Sequence, residues 1–285
     1  MTFFGRRLAE LWQTSTNTTM RKGAVAVLVL AIWAWSPLRA EAQSAPSALE
    51  GMWSNPPTTA LGSFCAFACN DAGIDRLNAL LDDPANDSTP YQQLSAAAQR
   101  YQLDTYIRPR LTAEALKTYP LDPADDPGLL RCEPWGLLRQ MFAPHQLEIR
   151  RKGSDRIELH YGEWDARRTV YMDGRPRAST QPPSRLGYSV GRWEGETLVV
   201  ETSAVTKNRT GWQFEHSDRI HIVERFSRSA SDNTLRLTAT IDDPQSLREP
   251  LVAKKIWAWS PKSEIAPYDA CQPITAVKKR EGRQP

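Results

Sequence analysis

The chain has 285 residues, 36 Lys plus Arg against 33 Asp plus Glu, and four cysteines. Its formal charge of +3 resides in residues 1–42, where Arg6, Arg7, Arg21, Lys22 and Arg39 face only Glu10 and Glu41. The rest of the chain is neutral in sum, which excludes a basic field able to gather nucleic acid or anionic lipid.

In chain order, the first predicted element is a leader. Arg21 and Lys22 precede the apolar run Ala24–Trp35, and Ala40-Glu41-Ala42 has the A-x-A form of a cleavage site. That layout predicts a secretory signal peptide starting at Met20 and cut after Ala42, with an uncleaved anchor as the competing reading. The apolar run is shorter than the roughly 20 residues that span a bilayer, so no stable anchor is expected after cleavage. The product is then periplasmic or secreted. About 243 residues remain, enough for one large domain with its own core.

Residues 43–130 read as an extended and helical segment. A helix behind Asn70 and Asp71 carries Ile74, Leu77, Leu80 and Leu81 on one face and ends before Pro84. A second spans Tyr91–Ile107 and stops before Pro109, and Thr112 caps a third ending at Tyr119. Pro120–Gly128 is a linker by composition. From Leu147 the period changes to two, and residues 131–262 read as a β domain. Eight strands are predicted: 147–151, 156–162, 165–172, 186–193, 196–203, 218–228, 233–242 and 250–259. Short turns between several of them imply antiparallel neighbours. The fold expected is mainly β, an up-and-down antiparallel barrel or strongly curved sheet of about eight strands. Residues 263–285 form a tail whose basic end, Lys278–Arg283, reads as solvated.

Export makes disulfides the default for Cys65, Cys69, Cys132 and Cys271. Three pairings are open, and Cys65–Cys69 with Cys132–Cys271 is preferred. No CxxC or Cys/His cluster supports a metal site, and no CxxCH supports haem.

The β region resembles a widespread group of uncharacterised exported bacterial proteins. The matching residues are Tyr171–Pro176 (YMDGRP), Gly187–Thr202 (GYSVGRWEGETLVVET), His216–Phe226 (HSDRIHIVERF) and Ile241–Pro244 (IDDP), with Cys132–Gly136 (CEPWG) as a further match. They cover roughly half of the chain after residue 42, in order, and leave 70–125 uncovered. The resemblance implies export and brings no reaction with it. Gly51-Met52-Trp53 is similar to the Gly-x-Trp that opens the first lipocalin strand, which implies a calycin-type barrel.

Glu224 falls on the same strand face as Ile220, Ile222 and Phe226, and His216 and Asp218 join them if the strand starts early. A carboxylate among apolar neighbours is either an acid/base or ligand anchor, or the partner of a core arginine such as Arg168 or Arg192; the pairing is favoured. Asp173 reads as turn chemistry, and Arg175 beside it can hold a carboxylate over a barrel mouth. In the strand beginning Gly187-Tyr188-Ser189, the positions Gly187, Ser189 and Gly191 leave one face nearly bare, ending in Trp193. Such a face floors a pocket or receives a packed helix. The four histidines form no metal set, His160 being polar-facing in its strand. Gly-rich phosphate loops and other cofactor fingerprints are lacking, so no cofactor is expected.

Three functions stay open. The first is an exported barrel binding a small, partly apolar or ring-containing ligand through Trp193, Tyr188, Ser189, Arg175 and Arg225. The second is a periplasmic hydrolase, lyase or isomerase using Glu224, helped by Asp173 or His216. The third is an envelope structural or assembly protein with an exposed apolar patch on the helical segment. Oligomeric state is not readable from the sequence.

Overall fold

The structure is a computed structural model that describes residues 48–54, 59–120, 127–207, 214–229, 231–265 and 271. The leader, its cleavage site, residues 121–126 of the linker and the basic end Lys278–Arg283 lie outside the described residues.

Nine strands among the described residues close into a barrel in the order β1 to β9. They are β1 (Gly51–Ser54), β2 (Leu147–Arg151), β3 (Arg156–Tyr161), β4 (Ala166–Tyr171), β5 (Tyr188–Glu194), β6 (Thr197–Ser203), β7 (His221–Ser229), β8 (Thr234–Asp242) and β9 (Leu251–Trp259). Eight coincide with the predicted strands to within three residues. The expectation of eight is corrected by β1, which pairs with β2 through Gly51–Trp53 and with β9 through Trp53 and Ser54. Four residues are too few to display a period, and Met52 and Trp53 are both buried. The all-antiparallel expectation is corrected at β4–β5. There Val170 faces Ser189 and Tyr171 faces Val190 in parallel. Residues 172–187 carry the chain back to the starting end, a connection long enough for the crossover that parallel neighbours require.

Alternation sets which side chains fill the barrel. The paired row Gly191–Val200–Glu224–Ala239–Ala253 faces inward. So does the next, Trp193–Leu198–Phe226–Leu237–Lys255. Tyr161, Arg168, Trp53 and Trp257 face the same interior, and most of these side chains are buried. Leu137, Leu138, Met141 and Phe142 of a short helix (Leu137–Phe142) join this core, as do Ile107, Leu111, Val205, Phe214 and Leu247.

The helical segment behaves largely as its pattern implies. α1 (Ala60–Phe64) precedes α2 (Asp71–Leu81), which starts where the Asn70 side chain accepts from the Gly73 amide at 2.9 Å. α3 (Tyr91–Gln102) continues into a π-helical turn, Leu103–Ile107. After α3 come α4 (Pro127–Arg131) and α5 (Leu137–Phe142). The third predicted helix is only a 3-10 turn, Ala115–Thr118, with Glu114 and not Thr112 at its N-cap, although the Thr112 hydroxyl accepts from the Ala115 amide at 3.3 Å. Leu81, Tyr101 and Leu116 stay exposed on this segment.

Both preferred disulfides are present, Cys65–Cys69 and Cys132–Cys271. The first holds a turn against β9. The Lys254 amide donates to the Cys69 carbonyl at 2.7 Å, Cys69 returns the bond at 2.9 Å, and Ile256 donates to Cys65 at 2.9 Å. The turn thus occupies the β9 edge that the short β1 leaves unpaired. The sequence separations are 4 and 139. Chain entropy then predicts that Cys132→Ser with Cys271→Ser lowers unfolding free energy by about 5 kcal/mol, and Cys65→Ser with Cys69→Ser by about 2 kcal/mol. Urea unfolding of the two double variants checks the order; a larger loss for the short loop would make the edge turn the dominant constraint.

Candidate functional site

The predicted site residues are brought to several separate places. Asp173, Arg175 and Tyr188 gather outside the barrel. The Arg175 Nε donates to both Asp173 oxygens at 2.9 and 2.8 Å, and its Nη2 reaches Asp155 at 2.5 Å. The Tyr188 hydroxyl donates to the Arg175 carbonyl at 3.0 Å, and its ring stacks on Tyr171 at 5.1 Å. Arg225 lies on the outer face, paired to Glu194 at 2.6 Å. Ser189 points inward and bonds Thr202 at 2.9 Å. Trp193 is half-buried against the core.

The bare face is occupied at both of its glycines. A Cβ on Gly191 would meet Met172 Sδ and Val170 Cγ1, both at 2.6 Å. One on Gly187 would meet the Ser203 carbonyl and Thr202 Cγ2 at 2.7 Å. The protein's own side chains and backbone fill that face, and no helix of 70–120 is needed. Gly195 does take the positive φ, 60°, that the β5–β6 turn requires.

His216 is corrected too. β7 starts only at His221, so His216 and Asp218 lie before the strand and not on its inward face. His216 is fully buried, and its Nδ1 donates to the Ser217 carbonyl at 2.9 Å. Ser217 turns to the buried Asp243 of the IDDP motif. Its amide donates at 2.7 Å and its hydroxyl at 2.6 Å. Histidine, serine and aspartate therefore meet, but the serine hydroxyl is bound to the carboxylate and not to the imidazole. No activated nucleophile results. Burial raises the Asp243 carboxyl, and the bonds from Ser217 outweigh it and leave it below the usual range. His160 does lie on the polar outer face, between Glu148 and Arg167, yet it is buried there, with Nε2 on Asp165 at 2.5 Å. Among the described residues no group of three His, Cys, Asp or Glu could hold a metal.

The interior holds the chemistry. Glu224 is wholly buried and meets Arg168, 2 % exposed, through two contacts: Nη2 to Oε1 at 2.9 Å and Nη1 to Oε2 at 2.8 Å. The pairing with a core arginine is thus the arrangement present, and it engages both carboxylate oxygens. Tyr161 lies beside the pair, its ring centroid 5.9 Å from the Arg168 guanidinium carbon. Burial pushes its phenol up, so it stays a neutral hydroxyl. Among the described residues the Tyr161 hydroxyl, the Arg168 Nε and the Trp193 Nε1 have no hydrogen-bond partner, and the contact of Arg168 Nη1 with Glu224 Oε2 is an ion pair without hydrogen-bond geometry. Arg168 and Trp193 thus contribute unspent donors, and Tyr161 a hydroxyl that can donate. Tyr161 had no sequence signal beyond its place at an inward strand position, and such positions are ordinarily core.

No family model and no curated protein matches the chain. Among solved structures, a mutant of the fluorescent protein UnaG is similar at 19% identity, covering 40% of this chain and 70% of that chain, with a TM-score of 0.26. The barrel stands on its own strand pairing.

Two outcomes follow from this geometry. Arg168→Met strands an unpaired buried carboxylate and should lower stability by about 3–5 kcal/mol, whereas Arg168→Met with Glu224→Met restores most of that loss. A double-mutant cycle in urea checks this; additive losses would show the two groups to be independent. Burial, partly offset by its bond to Ser217, holds the His216 imidazole below its ordinary value. The unfolded chain then binds a proton at higher pH than the folded one. Stability falls as pH drops below about 6.5, by up to about 1.4 kcal/mol per pH unit. Urea midpoints between pH 7 and 5.5 should show this slope, and His216→Gln should flatten it.

Proposed function

We propose that the protein is an exported, disulfide-bonded barrel that binds a small, partly apolar molecule in its interior, through an acceptor oxygen set against Tyr161 and Arg168. The observation that carries this reading is the unspent hydrogen-bonding capacity of two buried groups, the Tyr161 hydroxyl and the Arg168 Nε. A buried donor left unpaired costs about 1–3 kcal/mol, and an occupant bearing an acceptor recovers it. The surrounding wall of Leu, Ile, Val and Phe suits an apolar remainder. Two disulfides fit an oxidising compartment, and export by the leader would supply one. Glu224 serves better as the anchor of Arg168 than as an acid or base, because its oxygens lie 2.9 and 2.8 Å from the buried guanidinium.

Native mass spectrometry of protein purified from periplasm tests the reading, with a denatured run in parallel. Tyr161→Phe removes only an unpartnered hydroxyl and should leave the fold intact. It is expected to cut retention of a co-purifying molecule about tenfold, the worth of one hydrogen bond. Retention equal to that of the unaltered protein would refute binding at Tyr161.

A further inference from the structure

Lys255 is a further basic group of the interior. It ends the inward row that runs from Trp193 through Leu198, Phe226 and Leu237, and it is 1 % exposed. Its Nζ donates to the Ala143 carbonyl and lies 4.4 Å from the centroid of the Trp257 ring. Among the described residues no carboxylate pairs with it. Glu224, the interior acid, is turned to Arg168. His145, whose carbonyl accepts from Trp257, turns its ring to Glu163 at 2.6 Å. Lys254, its neighbour, faces outward and pairs with Asp71.

A carbonyl and an aromatic face do not repay the removal of an ammonium ion from water. Burial accordingly pulls the Lys255 amine well below the usual lysine range. The uncharged amine then spends one N–H on Ala143 and keeps a lone pair that, among the described residues, receives no donor. A buried neutral amine of this kind is a nucleophile.

We infer that Lys255 is a covalent capture site for small apolar aldehydes, which it takes up as an imine inside the barrel. The nitrogen lone pair forms the bond to the carbonyl carbon, and a proton passes from nitrogen to the carbonyl oxygen. The resulting carbinolamine loses that oxygen with the second amine hydrogen as water, leaving a carbon–nitrogen double bond. No oxidant or reductant is consumed. Leu237, paired with Lys255, and the Trp257 ring beside its Nζ favour an apolar aldehyde, and the cost of burial disfavours a charged carbonyl compound. The inference uses a different group from the acceptor site at Tyr161 and does not depend on it.

The test treats the folded full chain with butanal at pH 6 and traps any imine with sodium cyanoborohydride. Exposed lysines have pKa near 10.4, so only about one amine in twenty-five thousand is uncharged there. Intact mass and peptide mapping should find one butyl group per chain, on Lys255, exceeding the label on the exposed Lys117 and Lys152 by at least about tenfold. The preference should vanish in urea, and Lys255→Met should abolish the adduct. Tyr161→Phe should leave capture unchanged, which separates this site from the acceptor site. Label spread evenly over the exposed lysines, or absent from Lys255 in the unaltered protein, would overturn the inference without any variant having to fold.

Discussion

A closed ring of nine strands cannot alternate direction all the way round. At least one pair of neighbours must run parallel, and here that pair is β4 and β5. The barrel is therefore two antiparallel sheets, β1–β4 and β5–β9, joined at two narrow places. At one joint only Val170 and Tyr171 meet Ser189 and Val190. At the other only Trp53 and Ser54 meet Trp259 and Ala258. Each joint is reinforced from outside its ladder. The Cys65–Cys69 turn extends pairing along β9 at one, and the Trp53 and Trp259 rings meet there edge to face at 4.8 Å. At the other, Arg168 of β4 reaches past β5 and β6 to Glu224 of β7.

That ion pair is better understood as a register device than as a source of stability. A buried pair roughly breaks even against apolar residues of the same volume. Its worth lies in what it forbids. A slip of one residue at the two-residue parallel joint would turn Arg168 outward and leave Glu224 buried and alone. The ladder at that joint is too short to enforce its own alignment. Charge matching across the interior does so, and in doing so it places polar groups where a barrel would otherwise hold only hydrocarbon.

Much of the architecture was legible in the residues. Alternation located eight strands because each has one apolar and one polar face over at least five residues. Asn70 announced α2, and the leader-like N-terminus made bridges the default reading of the cysteines. Glu224 and Arg168 could be suspected of pairing because both fall at inward positions. β1 was illegible because Gly51–Ser54 is too short to carry a period. The parallel joint was illegible because it depends on where residues 172–187 run, which no local pattern records. Tyr161 and Lys255 escaped notice for opposite reasons. A tyrosine at an inward position is ordinary core, and one of two adjacent lysines in a strand must face inward, but the pattern does not say that the barrel closes over it. The bare face at Gly187 and Gly191 invited a ligand, yet Val170, Met172 and Thr202 already occupy it.

The parity of the ring also constrains how such a barrel can change over descent. If β1 were lost, β9 would lie beside β2, and the two run in the same direction. Removing four residues would thus create a second parallel joint instead of removing the first. A lineage passing between this ring and an all-antiparallel ring of eight must alter two distant stretches together, the strand at Gly51–Ser54 and the crossover at 172–187. Neither change alone gives a ring with fewer mismatched neighbours. The shortest strand among the described residues and the crossover at 172–187 are thus tied to one another by parity, although they lie more than a hundred residues apart in the chain.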